Sequence, residues 1–393
     1  MTRTTRTSTS LRTPTRRPVR LARAVRLTAA AAIASAALVA CGSDGDSGAT
    51  TTPTVATTTT VAPTSTTAAP TTTLPPTTTT AAATTTAPTT TVEATSTTVV
   101  VAKPLTVDEL LTLGRPIVLA HAGGEDQYPH SIPFAYGESV AAGVDMIDLD
   151  VQLTGDGVLI VQHDPNTART TEADLVVGES SFEQLHALDN AYWFTADCVC
   201  TDQPEDAYIY RGIRTGDKPP PAGYTADDFA ITPFSEIAAR FPDKPVNIEI
   251  KGSGEAAVAA AKQLAIELEA LGLLASAVVA SFDDDVVAAF HDLAPSVEIS
   301  PGLGASSAWV LDGVELPFGM RILQLPPVYG DIEVLTPEVM ARVAEAGYAV
   351  WVWPNDRDLE NLASYLDLLE RGMAGLNINF PALGVEAVAE FTG

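Results

Sequence analysis

From Pro116 to the end of the chain, short apolar runs alternate with longer stretches in which apolar residues recur every three or four positions. That alternation is the pattern of a parallel α/β fold. Strands are predicted at 117–121 (IVLAH), 146–151 (MIDLDV), 158–163 (VLIVQH), 246–250 (VNIEI), 277–281 (AVVAS), 297–300 (VEIS), 321–325 (RILQL), 349–353 (AVWVW) and 374–379 (AGLNIN). Helices lie between several of them. The run EAAVAAAKQLAIELEALG stops at Gly272, a residue suited to a helix C-terminus. Thr336-Pro337-Glu338 reads as an N-cap followed by proline in the first helical position. Leu359, Leu362, Leu366 and Leu369 fall on one helical face within 356–372.

Nine strands for the eight places of a (β/α)8 barrel is one too many. Between 146–151 and 158–163 there is only a Thr-Gly-Asp-Gly turn, which suits a hairpin better than a βαβ unit. The expected fold is therefore a TIM-type barrel, irregular at its second and third strands. Residues 164–245 are too long for a simple connection, so about 172–232 is read as an insertion over the C-terminal face. Tyr192 and Trp193 are assigned to the core of that insertion.

Composition divides the chain. The first 40 residues carry eight arginines, no lysine and no acid, and Leu27–Ala40 is almost wholly small and apolar before Cys41. This is the make-up of a secretory signal. "LVAC" resembles the bacterial lipobox, which implies lipidation of Cys41 and an extracytoplasmic protein held to the membrane through a lipid anchor. Residues 42–104 are rich in Thr, Pro and Ala, and Glu93 is the single charge between Asp46 and Lys103. Such a tract cannot bury enough apolar surface to offset its ordering entropy. As a coil it would span about 45 Å. The working part is 105–393. Setting aside the eight signal arginines, 14 basic residues face 49 acidic ones. That balance argues against nucleic acid as a partner. Besides Cys41 there are only Cys198 and Cys200, which could be bridged or free.

Several predicted strands end in reactive side chains. His121 closes the first. Asp148 and Asp150 lie two apart on the second, so both face one side. His163 and Asp164 close the third, Glu249 and Lys251 end the fourth, and Trp353 closes a later one. In a β/α barrel the active site is built at those ends. Asp148, Asp150 and Glu249 offer hard oxygen ligands for Ca²⁺ or Mg²⁺. Lys251 could hold a phosphate oxygen, and His121 and His163 could act as general acid and base. Two histidines, a cation and a lysine fit phosphodiester cleavage. His186 and His291 are read as structural helix residues.

The stretch from "IVLAHAGG" through "YPHS", "DMIDLDVQLTGDG", "QHD" and "ARTT" resembles the opening of the glycerophosphodiester phosphodiesterase family. "VNIEIKG", "ASFD", "VWVWPND" and "GMAGLNINFP" are similar to its later motifs. The resemblance implies a TIM-type barrel, a divalent metal, and hydrolysis of glycerophosphodiesters to glycerol 3-phosphate and an alcohol. It implies His121 and His163 as the acid/base pair. It places the metal on Asp148, Asp150 and Glu249, and Lys251 at the phosphate. Trp353 joins Lys251 as a substrate residue. There are departures. Ala122 stands where the family keeps arginine, His130 where it keeps glutamate, Asp148 where it keeps glutamate, and Asn379 where it keeps aspartate. A positive His130 is expected to replace the missing arginine at the substrate. Competing expectations are a phospholipase D-like activity on lysolipids or sphingolipids, and a non-catalytic surface lipoprotein that binds a phosphoryl ligand.

Overall fold

Four consecutive buried residues in Ile117–Ala120 (β1) and again in Gly375–Ile378 (β11) mark strands covered on both faces. A computed structural model describes residues 103–196 and 200–393. The expectations for the signal, Cys41, nearly all of the Thr/Pro/Ala tract and Cys198 lie outside the described residues.

All nine predicted strands form, and the spare one is the hairpin arm. Eight of them are parallel: β1, Met146–Leu153 (β2), Val246–Ile250 (β4), Ala277–Ala280 (β5), Glu298–Ile299 (β6), Ile322–Leu325 (β7), Ala349–Val352 (β10) and β11. They run in the order β6-β5-β4-β2-β1-β11-β10-β7 and nearly close into a TIM-type barrel with helices outside. At the β6/β7 seam, side chains do the joining. Ser300 Oγ donates to Ile322 O at 3.0 Å, and Arg321 N donates to Glu298 Oε1 at 3.3 Å. Leu159–Val161 (β3) folds back antiparallel on β2, pairing Val151 with Val161. A short unpredicted hairpin, Val328–Tyr329 (β8) with Ile332–Glu333 (β9), follows β7.

The two-residue period of the strands sorts the barrel interior into layers. Ile117, Leu119, Met146, Val278, Ile322 and Trp351 form an apolar floor. The first described helix, Val107–Leu111 (α1), plugs that floor with Val107 and Leu110. Gly375 leaves room for Trp351, since a Cβ there would come within 2.7 Å of the indole. One step up come polar residues, and at the top the reactive ones. The odd-even partners Val118, Ile147, Leu149, Ile248 and Leu376 face outward into the main core under the helices.

The predicted Glu255–Gly272 helix spans Gly254–Leu271 and ends on a left-handed Gly272. Thr336 caps Pro337–Ala346 as its sequence demands, accepting from Val339 N. The predicted 356–372 helix is shorter. Asn361 caps it through Ser364 N, so only Leu362–Glu370 is helical and Leu359 sits in a separate turn. The segment between β3 and Phe234–Arg240 packs on the loop after β1 and on the helix Pro133–Ala142 that follows it: Asn190 Nδ2 donates to His130 O at 3.1 Å, and Phe229 stacks on Phe134. Tyr192 and Trp193 lie in this segment against the Arg211 guanidinium, together with Tyr208. Cys200 is disulfide-bonded. His186 ends Phe182–His186, with Nδ1 2.8 Å from Ile231 O, and His291 packs on Phe318. Among the described residues no helix is long and apolar enough to cross a membrane.

Candidate active site

Register brings the acids together. On the β2/β4 ladder Asp150 pairs with Glu249, and Asp148 with Asn247 one layer below. His163 arrives by another route. β2 overshoots its neighbours, turns at Thr154–Gly157, and β3 returns toward the barrel mouth. Gln162 N then donates to Asp150 O at 2.9 Å. Gln152 Nε2 donates to the carbonyls of Gln162, His163 and Asp164, which fixes the backbone carrying the histidine.

Both histidines are held at Nδ1. His121 Nδ1 lies 2.7 Å from Asn379 Oδ1 and His163 Nδ1 lies 2.6 Å from Asp164 Oδ1. In each ring Nε2 is then the nitrogen left for proton transfer. Burial by itself lowers the His121 pKa, but Glu125, Asp148 and Asp150 outweigh it and raise the ring to about 9.

Lys251 Nζ stands 3.0 Å from both Asp150 Oδ1 and Glu249 Oε1. Burial would raise the Asp150 carboxyl, yet Lys251 and the neighbouring histidines hold it well below the usual range. Burial also opposes the charge on Lys251, and the two carboxylates overcome it, so the ammonium is held more firmly than in water. Asp148 behaves differently. It is buried beneath this pair, accepts from Asn247 Nδ2, and has Ala122 N 3.5 Å away. Burial raises its carboxyl above the ordinary range, against the pull of His121. The three expected cation ligands are thus split: two flank Lys251 and one is turned to Asn247. Among the described residues no three His, Cys, Asp or Glu side chains are arranged as a metal centre. The donors still suit a hard cation. Asp150 Oδ2 is buried with no hydrogen-bond partner, and Glu249 stands beside it in register.

The expectation for His130 needs correction. It is buried at 2% exposure, and Arg169 Nη2 lies 3.0 Å from its Nε2. Glu125 Oε2 lies farther from the same atom, at 3.3 Å; a guanidinium only donates, so the shorter contact makes Nε2 the acceptor and the ring neutral. Burial first, then Arg169, lowers its pKa to about 3. His130 therefore supplies no positive charge; the cation at this edge is Arg169. Its Nε donates to Asp164 Oδ2 at 2.5 Å, and its Nη1 lies 3.6 Å from Glu125 Oε2. Glu125 also faces His121 Nδ1 at 3.6 Å. Burial would raise Glu125, but His121 and Arg169 lower it to about 2, so it is a carboxylate. Ala122 occupies the left-handed region (φ 45°), held by Ser131 N donating to its carbonyl at 2.8 Å. Trp353 sits at the end of β10 with its ring edge-on to Phe282, centroids 6.1 Å apart.

Sequence reasoning missed Glu125, Asp126, Arg169 and Asn247 as members of this cluster, and read Asp164 beside His163 without giving it a role. Asn247 was readable, because it shares the face of Glu249. The others sit in loops, where no period reports direction.

Residues 121–383 match the profile of the "Glycerophosphoryl diester phosphodiesterase family". A glycerophosphodiester phosphodiesterase of Caldanaerobacter subterraneus subsp. tengcongensis is 26% identical over 259 residues, 63% of this chain and 90% of that protein. One from Bacillus altitudinis is 26% identical over 183 residues, 47% of this chain and 64% of its own length. The solved structure of an Oleispira antarctica phosphodiesterase, in complex with the product sn-glycerol-3-phosphate, is similar at a TM-score of 0.53 and 16% identity. That alignment covers 71% of this chain and 99% of the other.

Proposed function

Because the chain belongs to the glycerophosphoryl diester phosphodiesterase family, we propose that it hydrolyses glycerophosphodiesters to glycerol 3-phosphate and an alcohol. The observation that carries this reading is the pair of histidines, each tethered at Nδ1, at the mouth that also holds Asp150, Glu249 and Lys251. One Nε2 takes the proton from the attacking oxygen. The other donates a proton to the leaving alkoxide as its P–O bond breaks. Lys251 and Arg169 are the cations available to the phosphoryl charge. A Ca²⁺ or Mg²⁺ ion would be held by Asp150 and Glu249, with Asp148 beneath them. When bound it would supply positive charge to the phosphoryl oxygens. Glycerol 3-phosphate as product is supported by the ligand of the Oleispira antarctica relative.

The test is release of glycerol 3-phosphate from glycerophosphocholine and from polyglycerol phosphate, with and without Ca²⁺ or Mg²⁺. His121→Ala and His163→Ala serve as controls. Turnover that survives both substitutions sinks the histidine assignment. Turnover of lysophosphatidylcholine alone moves the reading to the phospholipase D-like alternative, and no turnover on any substrate moves it to a binding protein.

We also propose that residues 1–41 are a signal with Cys41 lipidated, that the tract to 104 is a tether, and that the barrel works outside the cytoplasm. The basic and apolar make-up of the first 40 residues supports this. Incorporation of labelled palmitate, abolished by Cys41→Ala, tests it.

A further inference from the structure

Asn379 connects His121 to two acids that the mechanism above does not use. Its side-chain nitrogen points at Asp126 Oδ2, 2.9 Å away, and at Glu125 Oε1, 3.4 Å away. Its oxygen is the atom 2.7 Å from His121 Nδ1. The backbone N–H of Asn379 is fixed as well, donating to Glu360 Oε2 at 3.1 Å. An amide can be turned either way in such a cluster, and its neighbours decide. Here the decision is forced. Ionised carboxylates only accept, so the amide nitrogen must face Asp126 and Glu125. Asp126 is itself fixed, with Arg357 Nη1 2.7 Å from its other oxygen. The amide oxygen is then left to His121, and an oxygen there requires a proton on Nδ1.

Resting on the activity proposed above, we propose that Asp126 and Glu125 act through Asn379 as positioning residues that lock the neutral His121 ring in its Nδ1–H form. That form leaves the Nε2 lone pair directed at substrate. A neutral amide fixes the tautomer but brings no charge to balance a ring that gains a proton. Glu125 Oε1, 3.6 Å from the same Nδ1, is the carboxylate placed to do that. The two tasks that one aspartate could perform at position 379 are divided between Asn379 and Glu125.

The experiment follows the His121 ring by nitrogen NMR, above the pH at which the ring loses its proton, alongside steady-state kinetics. Asn379→Leu keeps the volume and removes the acceptor. It should give a mixture of tautomers and lower kcat by about 10²-fold with little change in KM. Asn379→Asp keeps an acceptor and should keep a single Nδ1–H ring. Glu125→Gln should lower kcat, and adding Asn379→Asp to it should recover most of the loss. A purely steric role for Asn379 predicts the reverse order, with Leu tolerated and Asp disruptive. A single Nδ1–H ring in Asn379→Leu overturns the lock. Failure of the double variant to recover activity overturns the role of Glu125. Should the wild type turn over no phosphodiester, the activity reading fails while the ring spectra still report on the lock.

Discussion

Lys251 Nζ bridges Asp150 Oδ1 and Glu249 Oε1 at 3.0 Å each. A lysine thus stands between two carboxylates that suit a hard cation, and the ammonium and the cation compete for the same oxygens. Replacing Lys251 with Met removes the competitor and keeps most of the volume. The expected outcome is tighter Ca²⁺ or Mg²⁺ binding together with a kcat lower by about 10²-fold, the usual scale for losing one charge-stabilising donor. Calorimetric titration and steady-state kinetics check the two halves. Weaker cation binding in Lys251→Met would show that the lysine supports the cation site and does not compete with it.

A second prediction concerns Asp164. One of its oxygens meets His163 Nδ1 at 2.6 Å and the other takes Arg169 Nε at 2.5 Å. A carboxylate offers two acceptors, whereas asparagine offers one. In Asp164→Asn either His163 or Arg169 loses its partner. Turnover should fall by about tenfold to 10²-fold, with KM moving less, because the ring and the guanidinium are no longer held together. Unchanged kcat in a folded Asp164→Asn protein would remove Asp164 from the catalytic arrangement.

The top of the barrel was legible because period two carries direction. His121, Asp148, Asp150, Glu249, Lys251 and Trp353 share the inward parity of their strands, and short strands leave little freedom in register. His163 was legible for a different reason. The Thr-Gly-Asp-Gly turn announced the hairpin, and the hairpin returns the chain to the level of Asp150. Partner choice was legible only in part. Glu249 and Lys251 share a strand face, so their pairing could be read; that Asp150 shares the same ammonium could not. Arg169 is 39 residues from His130 in sequence, and Asn379 is 258 from His121. Such contacts are fixed by the closure of the whole barrel. The helix over 356–372 was overextended because leucine spacing reports a face and says nothing of where a cap sits. Asn361 sets that boundary.

A third prediction is a linkage between cation and proton. His121 titrates near 9 because Glu125, Asp148 and Asp150 surround it. The raised value favours the folded protein at pH below about 6.5, and this contribution is lost as pH rises toward 9. A divalent ion on Asp150 and Glu249 offsets part of the negative field and lowers the ring back toward its ordinary value. Cation binding should therefore release protons between about pH 6.5 and 9, and affinity should rise with pH across that window. Calorimetry in two buffers of different ionisation enthalpy measures the release. Cation affinity that is flat from pH 6.5 to 9 contradicts the assignment.

The last prediction separates His130 from Arg169. His130 is buried beside a guanidinium, and its pKa falls to about 3. In the unfolded chain the same ring titrates near 6.5. Below that pH the unfolded state takes up a proton that the folded state refuses. The neutral ring's contribution is complete above about 6.5 and is lost as pH falls toward 3. Between pH 6.5 and 5 the loss is about 2 kcal/mol for one ring. His130→Gln can still accept from Arg169 through its amide oxygen but does not titrate. Urea unfolding should show the wild type losing about 2 kcal/mol more than His130→Gln over that range. KM for the phosphodiester should differ little between them from pH 6 to 8, because His130 carries no charge at either end. Arg169→Gln should raise KM, since it removes the cation itself. Parallel stability curves for wild type and His130→Gln, or a KM that rises in His130→Gln as the pH falls, would return the positive charge to His130.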